Sequence, residues 1–446
     1  MRSLKTLLYV ALLSMPLAAQ VHLGGDLETY NRYWVHADSG RWTWNENRLQ
    51  LQLEANPAEN LHLYGELRLR AFGFPRITGI SDLQRQQKDR VYPWALEIRE
   101  AYADLYDFLV PGLDLRLGRQ VIAWGTADKI NPTSNLSPYD YEDFFDFGAK
   151  LGVNALRAIY TRDPWSLEVD VVPVFTPATL PPAEWSGAMM PLAPSQLPPL
   201  TVLRNTHFAV ATPEPTAENT QVGVKLGTTL ADWDLSVSYY RGFDGLPLAD
   251  TIRFVPVDTT LLSDLEAHLV YPRIQVFGAD LAGSFRSVGL WAEGALVVPE
   301  TFVQVIYPAW QPLLVKDTLL KKPYLKFVLG GDYTFKNGLY VNAQYIHGFL
   351  HERGPDSLRD YFVVRLEKRF HNDEVTLAPL TFAAEVADWD APGDHYGYAW
   401  IPELKYAPTD NLEIRLGAFV LDGKPGTLFG RMKTHDEVFL RIKVSF

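Results

Sequence analysis

The last ten residues constrain the fold most strongly. They read Glu-Val-Phe-Leu-Arg-Ile-Lys-Val-Ser-Phe, from Glu437 to Phe446. Successive side chains of a strand point to opposite faces of a sheet. One face of this strand would be entirely apolar, with Val438, Leu440, Ile442, Val444 and Phe446. The other face would carry Arg441, Lys443 and Ser445. One face of such a strand suits an apolar environment and the other suits water, and a soluble edge strand could show the same alternation.

The same two-residue alternation recurs along the chain. Its clearest example is the segment 48–55, which a short turn joins to an alternating segment at 61–70. Eight short turns are predicted, at 56–60, 107–112, 161–165, 231–234, 286–287, 335–338, 371–374 and 407–411. Interleaved with nine longer connections, they predict an even number of strands, about 18 with 16 as the nearest alternative.

A terminal strand that ends in Phe resembles the last strand of Gram-negative outer-membrane β-barrel proteins. The rhythm of short turns and long connections is similar to that of porins. The resemblance implies an all-β, transmembrane, antiparallel up-and-down barrel in the cell outer membrane. It also implies the lipid bilayer, the barrel assembly machinery that recognises Phe446, and small solutes as partners, and it leaves a homotrimer open. A soluble propeller or sandwich also alternates, but it predicts polar outer faces and no rhythm of loop lengths.

The first 20 residues have the pattern of a secretory signal peptide. Arg2 and Lys5 precede an apolar stretch at 7–13, and the small residues Ala18 and Ala19 follow. We therefore predict a signal peptide over 1–20 and a barrel over 21–446. No later apolar run reaches the ~20 residues that a transmembrane helix needs.

Composition excludes several kinds of partner and site. The net charge of −12 argues against nucleic acid, because phosphate binding needs a basic surface. The absence of Cys excludes disulfides, thiolate metal sites and a Cys nucleophile. No metal or cofactor is predicted.

The third long connection is the most informative. It joins the predicted strands at 113–121 and 151–161 and is rich in Pro, aromatic and acidic residues, which predicts an ordered segment packed against the barrel. By the resemblance to porins, 122–150 is the constriction loop that folds into the lumen. Its candidate site residues are Trp124, Asp128, Tyr139, Asp140, Glu142, Asp143 and Asp146.

Basic residues are expected on the facing wall. The candidate lumen-wall residues are Arg48, Arg68, Arg70, Arg116, Arg415, Arg441 and Lys443. Loop carboxylates that face these bases would create a transverse field, which filters solutes by charge. Alternatively, the charges pair with one another and merely wet the lumen. The loop aromatics could also form a stacking path for sugar or aromatic rings, as in sugar-specific porins.

These features favour a passive channel for small hydrophilic solutes or ions, with no catalytic residue. Two other functions stay open. One is an export or uptake barrel for hydrophobic or polysaccharide-like substrates, working with periplasmic partners, in which the Pro-rich connection over about 176–218 would plug the lumen. The other is a hydrolase at the barrel rim. No Gly-x-Ser-x-Gly or His-Glu-x-x-His motif supports it, and we interpret His347 and His351 as surface residues.

Overall fold

A computed structural model describes residues 21–35, 40–84, 88–146, 148–182, 185, 202–257, 262–309 and 314–446. The predicted signal peptide lies outside the described residues, and so does most of 183–201 in the Pro-rich connection. No helix in the described ranges is both long enough and apolar enough to cross a membrane.

The described residues form 24 β-strands and four short helical segments. The strands are β1 (Val21–Trp34), β2 (Arg41–Ala58), β3 (Leu61–Phe72), β4 (Trp94–Leu105), β5 (Leu113–Gln120), β6 (Val153–Arg162), β7 (Trp165–Val172), β8 (Val202–Ala211), β9 (Gln221–Leu230), β10 (Trp233–Phe243), β11 (Leu248–Pro256), β12 (Leu262–Val270), β13 (Arg273–Phe285), β14 (Val288–Pro299), β15 (Phe302–Tyr307), β16 (Val315–Leu320), β17 (Tyr324–Thr334), β18 (Leu339–His347), β19 (Asp360–Phe370), β20 (Val375–Val386), β21 (Tyr396–Trp400), β22 (Glu403–Thr409), β23 (Leu412–Gly423) and β24 (Glu437–Ser445). The helical segments are Ile80–Leu83, Lys88–Val91, Pro355–Ser357 and Leu428–Arg431.

Nineteen of these strands form one closed antiparallel sheet. Neighbours in sequence are neighbours in the barrel, and β24 pairs with β1 to close the ring, from Asp26 opposite Ser445 to Trp34 opposite Glu437. Both β21 and β22 pair with β20 and β23, so they are two halves of one strand. The strand is interrupted at Pro402, because proline has no N–H to donate to the hydrogen-bond ladder. The barrel therefore has 18 strands, and the predicted fold class is confirmed.

The wall separates apolar from charged side chains as the alternation predicts. In β24, Val438, Leu440 and Val444 point outward and are 40%, 39% and 42% exposed, whereas Arg441 and Lys443 face the lumen. A closed barrel leaves no strand edge unpaired, and its outer face can contact lipid.

All eight predicted short turns connect strands at one end of the barrel. The connections there are 59–60, 106–112, 163–164, 231–232, 286–287, 335–338, 371–374 and 410–411. In the turn between β9 and β10, Ala231 and Asp232 have φ values of 50° and 65°. Positive φ at both central residues matches the twist of a tight hairpin.

Three long connections at the other end build a second sheet that the sequence analysis did not predict. Its strand order is β16-β15-β11-β12-β8, with parallel pairing between β8 and β12 and between β11 and β15. Ile252, Phe254, Leu265 and Leu269 form its apolar core. The Pro-rich connection thus contributes β8 to a structured rim.

The first prediction concerns the outward face. Leu416 lies near the middle of β23 and is 53% exposed. Leu416→Arg should lower the free energy of unfolding by about 2–4 kcal/mol if this position lies at the bilayer midplane. Urea unfolding of the protein in lipid vesicles measures this change. The control is Arg415→Lys at the neighbouring, lumen-facing position, with an expected change below about 0.5 kcal/mol. Equal stability of Leu416→Arg and the parent chain would contradict the lipid-facing assignment.

Candidate functional site

The connection between β5 and β6, residues 121–152, enters the barrel and crosses the lumen. It contacts β14 on one side and β1, β23 and β24 on the other. In the order of the ring, β14 and β1 lie nearly opposite each other. We call residues 121–152 the lumen loop.

On the β14 side, one carboxylate anchors the lumen loop. Glu293 is only 2% exposed. Its oxygens accept hydrogen bonds from the backbone N–H groups of Thr126 (3.1 Å), Ala127 (3.2 Å) and Thr133 (2.8 Å). The Thr133 hydroxyl (2.7 Å) and the Asn131 amide (3.0 Å) donate as well. Hydrogen bonds to a charged acceptor are stronger than neutral ones, so Glu293 holds the loop against the wall.

The chain approaches this anchor through a glycine. Gly125 has φ +93°, and a Cβ at this position would meet the Glu293 carboxylate oxygens. The positive φ and the lack of space for a Cβ both favour glycine at this position. The preceding Trp124 is 2% exposed, and its Nε1 donates to Glu168 Oε1 at 2.9 Å. Trp124 therefore packs the lumen loop onto the wall.

On the opposite side, an ion pair and an aromatic stack attach the lumen loop. Asp143 lies 3.2 Å from Arg32 and 3.7 Å from Arg441. The ring of Phe145 stacks on that of Phe419, with centroids 3.6 Å apart and planes 6° from parallel. We call these five residues the far-wall contact.

Two more loop acids are also paired with wall arginines. Glu142 lies 2.6 Å from Arg70, which also contacts Glu46 at 2.6 Å. Asp140 lies 3.2 Å from Arg99. Asp140, Glu142 and Asp143 therefore pair directly with arginines of the wall.

Tyr139 organises the interior of the lumen loop. Its hydroxyl accepts from the Asn131 N–H at 3.2 Å and donates to the Asn131 carbonyl at 3.1 Å. The Lys150 ammonium lies 3.5 Å from the centre of the Tyr139 ring and donates to the carbonyls of Ser134 (3.1 Å) and Ser137 (3.2 Å). Burial lowers the pKa of Lys150 to about 7 and raises the pKa of Tyr139. Lys150 was not among the predicted site residues.

A cavity of about 490 Å³ separates the lumen loop from the wall formed by β18–β24 and β1. The loop side carries Asp128, Asp143 and Asp146 together with Lys129. The wall side carries Arg365, Arg415 and Arg441 together with Glu403. Apolar side chains complete the lining, among them Ile346, Phe349, Phe419, Phe429 and Phe439.

The predicted wall residues all face the lumen, but only some lie at this cavity. Arg415 and Arg441 line it, and Arg70 contacts the lumen loop. The others pair with wall residues: Arg48 with Glu28 (3.0 Å), Arg68 with Gln50 (3.1 Å), Arg116 with Asp104 (2.6 Å) and Lys443 with Asp26 (3.5 Å). The backbone of Phe446 pairs with Gly25 beside the seam between β1 and β24.

The anchor residue Glu293 and part of the wall were not among the predicted site residues. Glu293 is the one charged residue in β14, and it lies two residues after Trp291, on the same inward face of the strand. A lone charge on the inward face is the signal that could have identified it. Alternation along the strands also places Arg32 and Arg365 on the inward face, but their roles depend on which loop residues contact them.

The two rim histidines differ. His347 Nδ1 lies 2.8 Å from Asp360 Oδ1. His351 is partly buried, and burial together with the nearby Lys326 and Arg353 cations lowers its pKa well below the ordinary value. Interpreting His351 as an ordinary surface residue was therefore wrong. Within the described residues, no three His, Asp or Glu side chains are grouped to hold a metal ion.

Comparisons with known proteins agree with this fold. The family model described as "Protein of unknown function (DUF1302)" matches residues 43–301, more than half of the chain. No curated protein matches the sequence. Among solved structures, OccAB3 of Acinetobacter baumannii is 10% identical with a TM-score of 0.52, and the match covers 97% of this chain and 100% of that chain. OccK11 (OpdR) of Pseudomonas aeruginosa is 11% identical with a TM-score of 0.50, and the match covers 96% of each chain. At these identities the likeness concerns the fold alone, and it confirms the predicted porin-type barrel.

The second prediction tests the anchor. Glu293→Gln removes the charge that five loop groups share, which should weaken docking of the lumen loop by about 2 kcal/mol. Because the chain contains no cysteine, Ala127→Cys supplies a unique thiol at a position that is 9% exposed. Its rate of labelling by a small methanethiosulfonate should rise roughly thirtyfold in the Glu293→Gln background.

The matched control is Glu413→Gln, a lumen carboxylate that pairs with Lys405 and Arg415 of the wall. It should leave the labelling rate of Ala127→Cys unchanged. Equal labelling rates in both backgrounds would show that Glu293 does not anchor the loop.

Proposed function

The chain belongs to the DUF1302 family, described as proteins of unknown function, and we propose that it is a passive outer-membrane channel for small solutes, narrowed by the lumen loop. The observation that carries this proposal is the cavity between the lumen loop and the wall. A barrel of this strand number encloses more space than its own inward side chains fill. The lumen loop occupies part of that space and leaves a cavity lined by ionised groups.

The proposed mechanism is diffusion through a filter. Among the described residues, acids outnumber bases on the loop side of the cavity, where Lys129 is the one cation, and bases outnumber acids on the wall side, where Glu403 is the one anion. Fixed charges in a narrow lumen order dipolar solutes and sort ions by sign. We assign no catalytic residue. The signal peptide, the recognition of Phe446 by the assembly machinery and a homotrimer stay predictions.

The Pro-rich connection supports the constriction in this proposal. Its Trp185 stacks on Phe144 of the lumen loop, with ring centroids 5.6 Å apart, and its Thr179 hydroxyl donates to Asp140 at 2.5 Å. In this proposal, these contacts stabilise the position of the lumen loop from the rim side of the barrel.

A second candidate function is an uptake or export barrel for hydrophobic substrates. The apolar part of the cavity lining favours it, because rings such as Phe349 and Phe429 do not help a hydrated ion to pass.

The third prediction tests the channel. The refolded protein in a planar bilayer under a KCl gradient should carry a steady current. Releasing the far-wall contact with Asp143→Asn and Phe145→Ala together should increase the conductance, because the loop then loses its ion pair and its stack on Phe419. Arg415→Glu should shift the reversal potential toward cation preference. Deletion of 138–146 should have a larger effect on conductance than the double variant.

The outcomes separate the two candidate functions. A current that appears only after deletion of 138–146 would mean that the lumen loop closes the channel. The absence of current in both the intact protein and the variant that lacks 138–146 would contradict a passive channel and favour the hydrophobic-substrate barrel.

A further inference from the structure

The apolar side of the cavity is built from aromatic rings. Phe419 and Phe439 are stacked, with centroids 4.9 Å apart and planes 25° from parallel. Phe349 and Phe429 flank Tyr361 at 4.9 Å and 6.3 Å. Phe419 is stacked by both Phe145 and Phe439 and is 4% exposed, so these rings offer mainly their edges to a planar apolar body.

The polar side contains a buried acceptor without a partner. Gln344 on β18 is 9% exposed and lines the cavity. Its Nε2 donates to Asn342 Oδ1 at 3.2 Å and to Asp128 Oδ2 at 3.4 Å. Rotating the amide would place its oxygen against both acceptors, so these contacts determine its orientation. Its Oε1 has no hydrogen-bond partner among the described residues. Leaving a buried acceptor unpaired is unfavourable, and an N–H donor of a solute would satisfy it.

The corner around Gln344 suits a cation, and the wall suits an anion. The Asp128 carboxylate lies beside the Gln344 amide. On the wall, Arg441 lies 3.7 Å from both Glu28 and Asp143 and 4.1 Å from the centre of the Tyr30 ring, and Arg365 and Arg415 line the same side of the cavity. The complete lining has as many basic as acidic side chains. A solute with a net charge would therefore be attracted to one side of the cavity and repelled by the other. A dipolar solute can orient so that both sides attract it.

From these features we propose that the cavity is a binding site for small aromatic zwitterions, of which an aromatic amino acid is the simplest. The ring would lie against the Phe side chains, the ammonium group near Gln344 Oε1 and Asp128, and the carboxylate near Arg415 and Arg441. A volume of about 490 Å³ is in the range of sites for small molecules. This inference rests on the proposed channel, in which the site would select solutes.

The fourth prediction tests the site by equilibrium dialysis of the detergent-solubilised full chain with radiolabelled phenylalanine. Binding should be saturable. Phenethylamine, which lacks the carboxylate, and 3-phenylpropanoate, which lacks the ammonium group, should each compete at least about tenfold more weakly, since each loses one charge-assisted contact. Gln344→Leu should weaken phenylalanine binding about tenfold. The control Gln52→Leu replaces a lumen amide that pairs with Glu66 and should leave binding unchanged.

The same preparations are then measured in planar bilayers, where phenylalanine should block the current saturably. An open current with no phenylalanine binding would overturn the site and leave the channel standing. Binding with no current would overturn the channel and leave the site. Equal affinity for phenylalanine and phenethylamine, or unchanged binding in a folded Gln344→Leu variant, would overturn the zwitterion assignment.

Discussion

The interior of this barrel depends on the burial of one carboxylate. Removing an ion from water costs several kcal/mol unless hydrogen bonds replace its hydration. The N–H groups of the strands around Glu293 are used in the barrel ladder. The donors must therefore come from another part of the chain, and the segment around Thr126 and Thr133 supplies them. Glu293 needs the inward loop, and the loop needs Glu293 to satisfy its own amides.

Once the lumen loop is anchored on β14, its remaining residues have distinct tasks. Trp124 and Tyr139 pack and organise the loop itself. Asp143 attaches it to the far wall through Arg32. Asp128 is left at the cavity, beside the residual lumen. Charges that look equivalent in the sequence are thus divided between holding the loop and lining the passage.

The features that the sequence predicted correctly depend on local rules. Short turns carry their own signals, as Asn337 and Gly338 between β17 and β18 show, so their positions and an approximate strand number follow from the sequence. Side-chain alternation placed Arg415 and Arg441 on the lumen side. The sheet that contains β8 was missed because the parallel pairings that assemble it, β8 with β12 and β11 with β15, join different connections, for which no local pattern exists.

The sequence by itself determined the barrel, its approximate strand number and the alternation of apolar and polar side chains along its strands, because alternation and turn formation involve only neighbours along the chain. The tertiary structure alone decided which loop groups meet Glu293, which acids are neutralised by Arg32 and Arg70, and which side chains, such as Gln344, remain unpaired at the cavity. These contacts join residues that are far apart in the sequence. They depend on how the loop folds inside a closed ring.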